Sequence, residues 1–337
     1  MDGQPASGSS SRRQFLKGAA VLAGAAGLAG AGVWRFAGGR EPAATAPTAT
    51  AQPWLDRLAD NIVSGGPGKD GIPAIDEPRF VPARRTELLG ADPVFGLAYR
   101  GVVRAYPQLV LVWHEIVNDR IGAQRLSVTY CPLTGSAFAV QGEAGTRPLT
   151  FGTTGQLVNS NLLMYDRETE SQWPQLAGTA IRGRLRGHRL TTVPLLWTTW
   201  RHWRETHPDT VVLSTDTGHV RNYGDDPYGT YTPPGGYYTG DALLFPVLQE
   251  SQRFRPKEVV VAVRLGDHTA AVRKQAIVRR RRIEFTLADV PLEAGWDDRL
   301  ATARIRRIDG GSASAVDFFD VMWFAWYAFH PDTEVIG

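Results

Sequence analysis

The sequence predicts an α+β, strand-rich fold in which two internal pseudo-repeats pack into one globular body. Strand–turn–strand segments are predicted at Pro93–Pro107 and at Glu258–Val272, with tight turns at Gly101 and Gly266. A motif of two Trp residues followed by His-Pro-Asp-Thr and an apolar run also occurs twice. Each copy would supply a hairpin, further strands and one Trp-bearing helix. Their apolar faces can hardly be covered separately, so a shared core is expected.

The composition is that of an ordinary globular protein. Of the 337 residues, 43% are hydrophobic and 21% are charged, which lies outside the range of disordered chains. The net charge of +3 comes in part from the N-terminal arginines and from the run Arg279–Arg282, and the other charges are mixed in sign. No nucleic-acid partner is therefore expected. The single cysteine, Cys131, excludes an intramolecular disulfide and a Cys-rich zinc site.

Residues 1–40 are predicted to be a twin-arginine export signal. Ser11–Lys17 has the form of that signal, and an Ala/Gly-rich run of moderate hydrophobicity follows from Gly18 to Trp34. The expected partner is the twin-arginine translocation machinery, and the expected location is extracytoplasmic, in the periplasm or at the cell exterior. The alternative is an uncleaved N-terminal anchor that retains the protein at the membrane, although the run is short and Gly-rich for a spanning helix.

The rest of the chain divides into a linker and one predicted domain. Residues 41–71 are an Ala/Thr/Pro-rich linker and a pre-domain segment. Residues 72–337 are predicted to be a single globular domain, with pseudo-repeats at about 90–215 and 255–337. Because the twin-arginine route carries proteins that fold before export, it favours a bound metal or cofactor without naming one.

The repeated motif indicates which features belong to the scaffold. Thr199–Leu213 resembles Met322–Ile336, and in each segment a Trp-bearing helix is expected to end before the proline and a strand to follow. Features present in both copies are taken as scaffold, so His207 and His330 are predicted to be structural. Features present in only one copy are candidates for function.

Two features of the first copy are candidates for a reactive site. Pro107–Asn118 is predicted to be one helix that carries His114 and Glu115, and Cys131 follows a strand and precedes a Pro/Gly turn. Arg125–Cys131 aligns with Arg282–Ala288, which places Ala288 opposite the cysteine and an Arg pair opposite His114 and Glu115. Backbone N–H groups of the turn are expected to lower the pKa of the thiol.

These residue types allow thiol or metal chemistry. Cys131 would be a nucleophile or a thiolate ligand, and His114 a base or a second ligand. Glu115 would orient His114 or complete the coordination of a transition metal, the candidate cofactor. The alternatives are that Cys131 is a small apolar core residue and that His114 bonds a backbone carbonyl.

Two polar segments further along the chain are weaker candidates. Asp166 and Arg167 follow a strand-like run and are predicted either to pair with each other or to face a ligand, and the alternative is a solvated hairpin tip. Asn222–Tyr238 is a Pro/Gly/Tyr-rich loop that is too long for a simple connector, which is typical of a binding element, a lid or a cover over a core edge.

Several of these segments together resemble the exported prokaryotic domain of unknown function family 3179. They are AYP (105–107), WHEIVND (113–119), TYCPLTGSA (129–137), LLMYDRETES (162–171) and WFAWYAFHPDTEV near the C-terminus. The resemblance covers nearly all of residues 72–337 and implies export, but it brings no reaction or mechanism. Some relatives carry CPLCG at the cysteine turn. This chain has Thr134 in place of that second cysteine, so it lacks a resolving thiol for dithiol redox chemistry.

Two hypotheses of function follow. The first is an enzyme whose thiol or metal site is built from Cys131, His114 and Glu115, with Asp166 and Arg167 nearby. The second is a non-catalytic extracytoplasmic module that binds a small-molecule or protein ligand, or takes part in assembly.

Overall fold

The computed structural model describes residues 52–311 and 316–337, so residues 1–51, which hold the predicted export signal and the first part of the predicted linker, lie outside the described residues. Of the residues that the structure describes, 43% lie in strands and 13% in helices, which confirms a strand-rich α+β fold. Within the described residues, no helix is both long enough and apolar enough to cross a membrane.

The helices are short and the strands are numerous. The helices are α1 (Pro53–Asp60), α2 (Gln108–Leu111), α3 (Trp200–Thr206), α4 (Lys274–Arg280) and α5 (Trp323–Phe329), with a 3₁₀ turn at Ala83–Arg85. The strands are β1 (Val63–Ser64), β2 (Phe80–Pro82), β3 (Pro93–Tyr99), β4 (Val102–Pro107), β5 (Ile116–Ile121), β6 (Gln124–Cys131), β7 (Ser136–Gln141), β8 (Glu143–Ala144), β9 (Arg147–Pro148), β10 (Phe151–Val158), β11 (Asn161–Asp166), β12 (Gln172–Pro174), β13 (Thr192–Pro194), β14 (Leu196–Thr199), β15 (Val211–Leu213), β16 (Gly229–Tyr231), β17 (Pro234–Gly236), β18 (Val259–Leu265), β19 (His268–Arg273), β20 (Arg282–Leu287), β21 (Val290–Asp297), β22 (Thr302–Arg307), β23 (Asp317–Met322) and β24 (Glu334–Ile336).

Among the described residues, five sheets of three or more strands form the body of the protein. Two of them carry the candidate site, and their strand orders are β13-β7-β6-β5 and β1-β10-β11-β12. The other three have the orders β14-β3-β4-β15-β2, β23-β18-β19-β24 and β20-β21-β22. The largest apolar cluster draws side chains from several sheets, including Phe138 of β7, Met164 of β11 and Phe319 of β23. The site therefore lies against a core that several sheets share.

The predicted hairpins and Trp-bearing helices are confirmed. The β3–β4 turn has positive φ at Arg100 and Gly101, the conformation of a type I′ turn, which matches the twist of the flanking strands. A Cβ atom on Gly96 would lie 2.1 Å from the ring of Trp203, so only glycine allows α3 to pack this closely on β3.

The two Trp-bearing helices make matching contacts. The indole N–H of Trp203 donates to Thr210 Oγ1, and that of Trp326 donates to Thr333 Oγ1, each at 3.0 Å. Each helix follows a strand that pairs antiparallel with its neighbour, and the strand after each helix pairs parallel, β15 with β4 and β24 with β19. The His-Pro-Asp-Thr turns thus serve to fix a buried Trp.

The predicted helix over Pro107–Asn118 is wrong in its second half. Helix α2 ends at Leu111, and Ile116–Ile121 forms strand β5, paired antiparallel with β6. The chain leaves the helical turn at Glu115, which adopts a left-handed conformation with φ of 57°. Two β-branched residues, Ile116 and Val117, then pair with Thr129 and Val128.

The predicted alignment of Arg125–Cys131 with Arg282–Ala288 is also wrong. Arg125–Cys131 lies in β6, the second strand of its hairpin, whereas Arg282–Leu287 is β20, the first strand of its hairpin. Ala288 lies in the β20–β21 turn with positive φ. The residue at the end of β21, where Cys131 ends β6, is Asp297.

Candidate functional site

Glu115 lies in the tight connection between α2 and β5. Its backbone N–H donates to Leu111 O at 2.7 Å, and its carbonyl accepts from Tyr130 N at 2.8 Å, so the left-handed conformation is held from both sides. Arg281, between α4 and β20, has φ of 65° and corresponding bonds to Ile277 O and from Trp296 N. The connection therefore accepts different side chains, and its geometry does not explain a carboxylate at residue 115.

The carboxyl group of Glu115 is buried without a hydrogen-bond partner. The residue is 6% exposed, and no donor among the described residues bonds its carboxylate oxygens. Burial disfavours the charged form and raises the pKa of Glu115 to about 8. Neither carboxylate oxygen is among the fully enclosed side-chain atoms that lack a partner in the described part of the chain, so the group opens onto accessible space inside the fold.

Glu115 lines a cavity of about 490 Å³. The walls are mainly apolar and come from Ile72, Leu133, Leu157, Leu162, Leu244 and Phe245. The other polar side chains in the lining are Ser64, Gln156 and Tyr228, and exposed Ser64 and Gly66 are part of the rim. A cavity of this size and lining suits a small organic molecule held by apolar contact and oriented by a few polar groups.

The cavity is shaped by glycine and by two tight turns. Gly155 of β10 has φ of 72°, and a Cβ atom there would lie 2.1 Å from Pro67 O, so the rim segment around Pro67 depends on this glycine. The β10–β11 turn, Asn159–Ser160, also has positive φ. Ser160 Oγ donates to Phe245 O at 2.6 Å and thereby holds the segment that contains Leu244 and Phe245.

Cys131 is a buried neighbour of Glu115 and is not part of the cavity lining. The residue is 1% exposed, and its Sγ atom lies 3.9 Å from Ser160 O. Burial and the negative charge of Glu115 raise the pKa of the thiol to about 11, and hydrogen bonds from Thr134 and Leu162 act in the opposite direction. The expected lowering of the thiol pKa by the turn is therefore wrong, because desolvation outweighs those bonds.

His114 is directed to other partners than Cys131. Its Nδ1 atom lies 2.7 Å from Pro73 O, and its Nε2 atom lies 2.6 Å from the hydroxyl of Tyr223. Burial lowers the pKa of His114 to about 4. Both ring nitrogens are thus engaged, and no hydrogen bond joins His114 to Cys131 within residues 52–311 and 316–337. Within the same residues, no group of three or more His, Cys, Asp or Glu side chains is arranged to hold a metal ion.

Asp166 and Arg167 do not pair with each other. Asp166 is fully buried, and its carboxylate accepts hydrogen bonds from Thr169 N (2.6 Å), Thr169 Oγ1 (2.8 Å) and Trp173 Nε1 (2.9 Å). Arg167 forms an ion pair with Asp76, in which both side chains are partly exposed. Asp166 therefore organises the β11–β12 turn, and Arg167 lies beside a different pocket, which it lines together with Asp76 and Asn118.

The long tyrosine-rich loop contributes a residue that the sequence did not single out. Tyr228 lines the cavity, and burial together with Glu115 and Cys131 raises its pKa well above the usual value. In the same loop, the hydroxyl of Tyr237 donates to Leu133 O at 2.7 Å. The position of the Pro/Gly/Tyr-rich loop was the only signal in the sequence that pointed to Tyr228.

A family profile described as "Protein of unknown function (DUF3179)" matches residues 69–317 of the chain. The chain belongs to the DUF3179 family. This DUF3179 chain also matches the TAT (twin-arginine translocation) pathway signal sequence over residues 9–29, within the predicted signal. No curated protein and no solved structure matches the chain.

The two matches confirm the predicted family and the predicted export by the twin-arginine pathway. The DUF3179 chain is exported across the cytoplasmic membrane by the twin-arginine translocation machinery. The segments WHEIVND and TYCPLTGSA, which carried the resemblance to this family, contain Glu115 and Cys131 and lie within the matched residues. The region matched by the DUF3179 profile thus contains the carboxyl–thiol pair next to the cavity.

Proposed function

We propose that the protein is an extracytoplasmic binding protein for an apolar small molecule, which occupies the cavity over Glu115. The observation that carries the proposal is a buried carboxyl group that faces an apolar cavity and has no protein partner. A ligand group would supply the missing hydrogen-bond partner, and the apolar walls would bury the rest of the ligand. The proposal agrees with the second hypothesis of the sequence analysis, a non-catalytic extracytoplasmic module that binds a ligand.

A fluorescent aromatic probe tests the pocket. We expect 1-naphthalenemethanol to bind the full-length chain. Its anionic counterpart 1-naphthoate should bind at least about tenfold more weakly, because the described lining offers no cation to pair with a carboxylate. Leu244→Trp fills the cavity and should abolish binding of the alcohol. Leu243→Trp is the matched control, since Leu243 is the adjacent half-buried residue and does not line this cavity. Equal binding to both variants would place the probe elsewhere and contradict the proposal.

A thiol or metal site of Cys131, His114 and Glu115 is the second candidate. The observation in its favour is the electrostatic interaction between Glu115 and the Cys131 thiol. The contacts of His114 with Pro73 and Tyr223 weigh against it, because a base or ligand role would require one of these bonds to break. In this candidate Asp166 and Arg167 would have no direct part, since both are engaged in contacts of their own.

Alkylation of the thiol separates the two candidates. We expect native protein at pH 7 to resist iodoacetamide for hours and to take up one label per chain in denaturant, because the thiol is 1% exposed and its pKa is about 11. Mass spectrometry measures the labelled fraction, and Cys131→Ala gives the background. Rapid labelling of the native protein would favour the thiol candidate instead.

We also propose that residues of about 90–215 and 255–337 are two copies of one unit within a single domain of residues 72–337. The support is the shared strand order, β14-β3-β4-β15 and β23-β18-β19-β24, and a three-stranded antiparallel meander that follows the hairpin in each half. In this alignment Glu115 corresponds to Arg281 and Cys131 to Asp297. The carboxyl–thiol pair is then specific to the first copy, as the sequence comparison proposed on a different alignment.

A further inference from the structure

The charge around the cavity has one sign. Glu115 and Tyr228 are the titratable side chains in the lining, which contains no Lys, Arg or His within the part of the chain that the structure describes. From β6, Cys131 faces Glu115, and from the tyrosine-rich loop Tyr228 does. All three groups are neutral when protonated and negative when they lose the proton, so no protein cation balances a charge on Glu115.

The groups in the next layer do not change this picture. Tyr130, Asp226 and Tyr237 interact with Cys131 or Tyr228, and all are acids. Lys257 is a cation of this region whose pKa burial lowers to about 8, and its Nζ atom already donates to Tyr237 O and to Ala242 O. The ring of His114 is bound to Pro73 and Tyr223. The positive partner that a carboxylate of Glu115 needs has to come from outside the protein.

We infer that the ligand is an apolar molecule with one protonated amine, whose ammonium group forms an ion pair with Glu115. This inference rests on the proposed function. In the empty pocket Glu115 holds a proton, and on binding that proton goes to solvent while the ammonium group keeps its own. The product is a carboxylate–ammonium pair, and one proton is released for each ligand bound. Charge-assisted hydrogen bonds are the stronger kind, and the lining also contains two aromatic residues, Tyr228 and Phe245, a residue type that attracts cations.

The inference predicts a specific pH dependence. Because the free site has to lose a proton, affinity for an amine should rise about tenfold for each pH unit up to about pH 8, where Glu115 is half ionised without ligand. A neutral analogue takes part in no proton exchange, so its affinity should not depend on pH in this range. An amine and an alcohol of the same shape should therefore differ in the pH dependence of their affinity.

Calorimetry on the full-length chain tests this with 1-naphthalenemethylamine and 1-naphthalenemethanol. Between pH 6 and pH 7.5 we expect the Kd of the amine to fall about 25-fold and that of the alcohol to stay constant. Titrations in two buffers with different ionisation enthalpies should show about one proton released per amine bound. In Glu115→Gln, the amine should lose its pH dependence and bind no better than the alcohol.

The outcomes separate the inference from the proposed function. If the alcohol binds, is blocked by Leu244→Trp, and the amine binds no tighter at pH 7.5, the ligand class is wrong and the pocket stands. The same holds if Glu115→Gln binds the amine with unchanged affinity and pH dependence. If neither probe binds, the proposed function itself fails and the amine inference fails with it.

Discussion

Replacing Glu115 with Gln is expected to stabilise the empty protein at pH 8 by on the order of 4 kcal/mol and to change its stability little at pH 4.5. The reason is the cost of keeping a carboxyl group buried without a partner. The pKa of Glu115 is about 8 in the folded protein and has its ordinary value of 4.5 in the unfolded chain. One pKa unit corresponds to about 1.4 kcal/mol, and the difference between the two values gives the expected size.

The direction follows from which state holds the proton. Between pH 4.5 and 8 the unfolded chain has released the proton of Glu115, whereas the folded protein still binds it. The wild-type protein therefore loses stability as the pH rises through this window, and above pH 8 the loss is complete and constant. A glutamine has no proton to release, so the difference in unfolding free energy between variant and wild type should grow steadily across the window.

Two histidines, one buried and one half-buried, act in the opposite direction, and their effect has to be subtracted. Burial lowers the pKa of His114 to about 4 and that of His330 to about 3, so their contribution to stability is complete above pH 6.5 and is lost as the pH falls. The wild-type profile contains these effects together with those of other groups whose pKa values are shifted, such as His207, Asp226 and Lys257. The difference between Glu115→Gln and wild type isolates the carboxyl group, because the histidines are present in both proteins.

Urea unfolding followed by tryptophan fluorescence at pH 5, 6, 7 and 8 measures this difference. Glu205→Gln is the control, since Glu205 is an exposed residue of α3 for which a stability change within about 0.5 kcal/mol is expected. A difference curve that stays flat from pH 5 to pH 8 would mean that Glu115 is ionised or solvated in the folded protein. The conclusion that the carboxyl group lies in an apolar environment would then be wrong, and the proposed pocket would lose its basis.

The local patterns of the sequence predicted the scaffold well. The hairpins, the Trp-bearing helices and the strands after them follow from turn residues, from the spacing of apolar residues and from prolines that end helices, all of which act over a few residues. The helix prediction for Leu109–Val117 failed because the apolar spacing of this segment fits a helix face and a buried strand equally well. The left-handed turn at Glu115 ends the helix and starts the strand. A glycine at this position would have predicted such a turn, whereas a glutamate does not.

The site was predicted only in part for a related reason. Glu115 and Cys131 come together because β5 and β6 are paired neighbours, a contact that their closeness in sequence suggests. Adjacent residues project in different directions from a tight turn, so once residue 115 faces the cavity, His114 is directed elsewhere. Tyr228 and Phe245 reach the site from more than a hundred residues away, and no local pattern encodes that contact.

Replacing Asp166 with Ala is expected to destabilise the protein by on the order of 3–4 kcal/mol. The carboxylate is fully buried and accepts three hydrogen bonds. Alanine would leave the backbone N–H of Thr169 and the indole N–H of Trp173 without their partner, and Trp173 is itself fully buried. Each buried donor left unpaired costs about 1–3 kcal/mol, and these costs are partly shared.

The neighbouring Arg167 provides the contrast that makes this prediction decisive. Arg167→Gln removes an ion pair with Asp76 in which the side chains are 32% and 49% exposed, so it should cost less than about 1 kcal/mol. Urea unfolding of both variants at pH 7 measures the two effects under the same conditions. If Asp166 faced a ligand, as the sequence allowed, Asp166→Ala would fold as stably as Arg167→Gln and lose only binding. A large loss for Asp166 alone, with probe binding retained in Arg167→Gln, would place the motif YDRETES in the scaffold and leave Glu115 as the polar centre of the cavity.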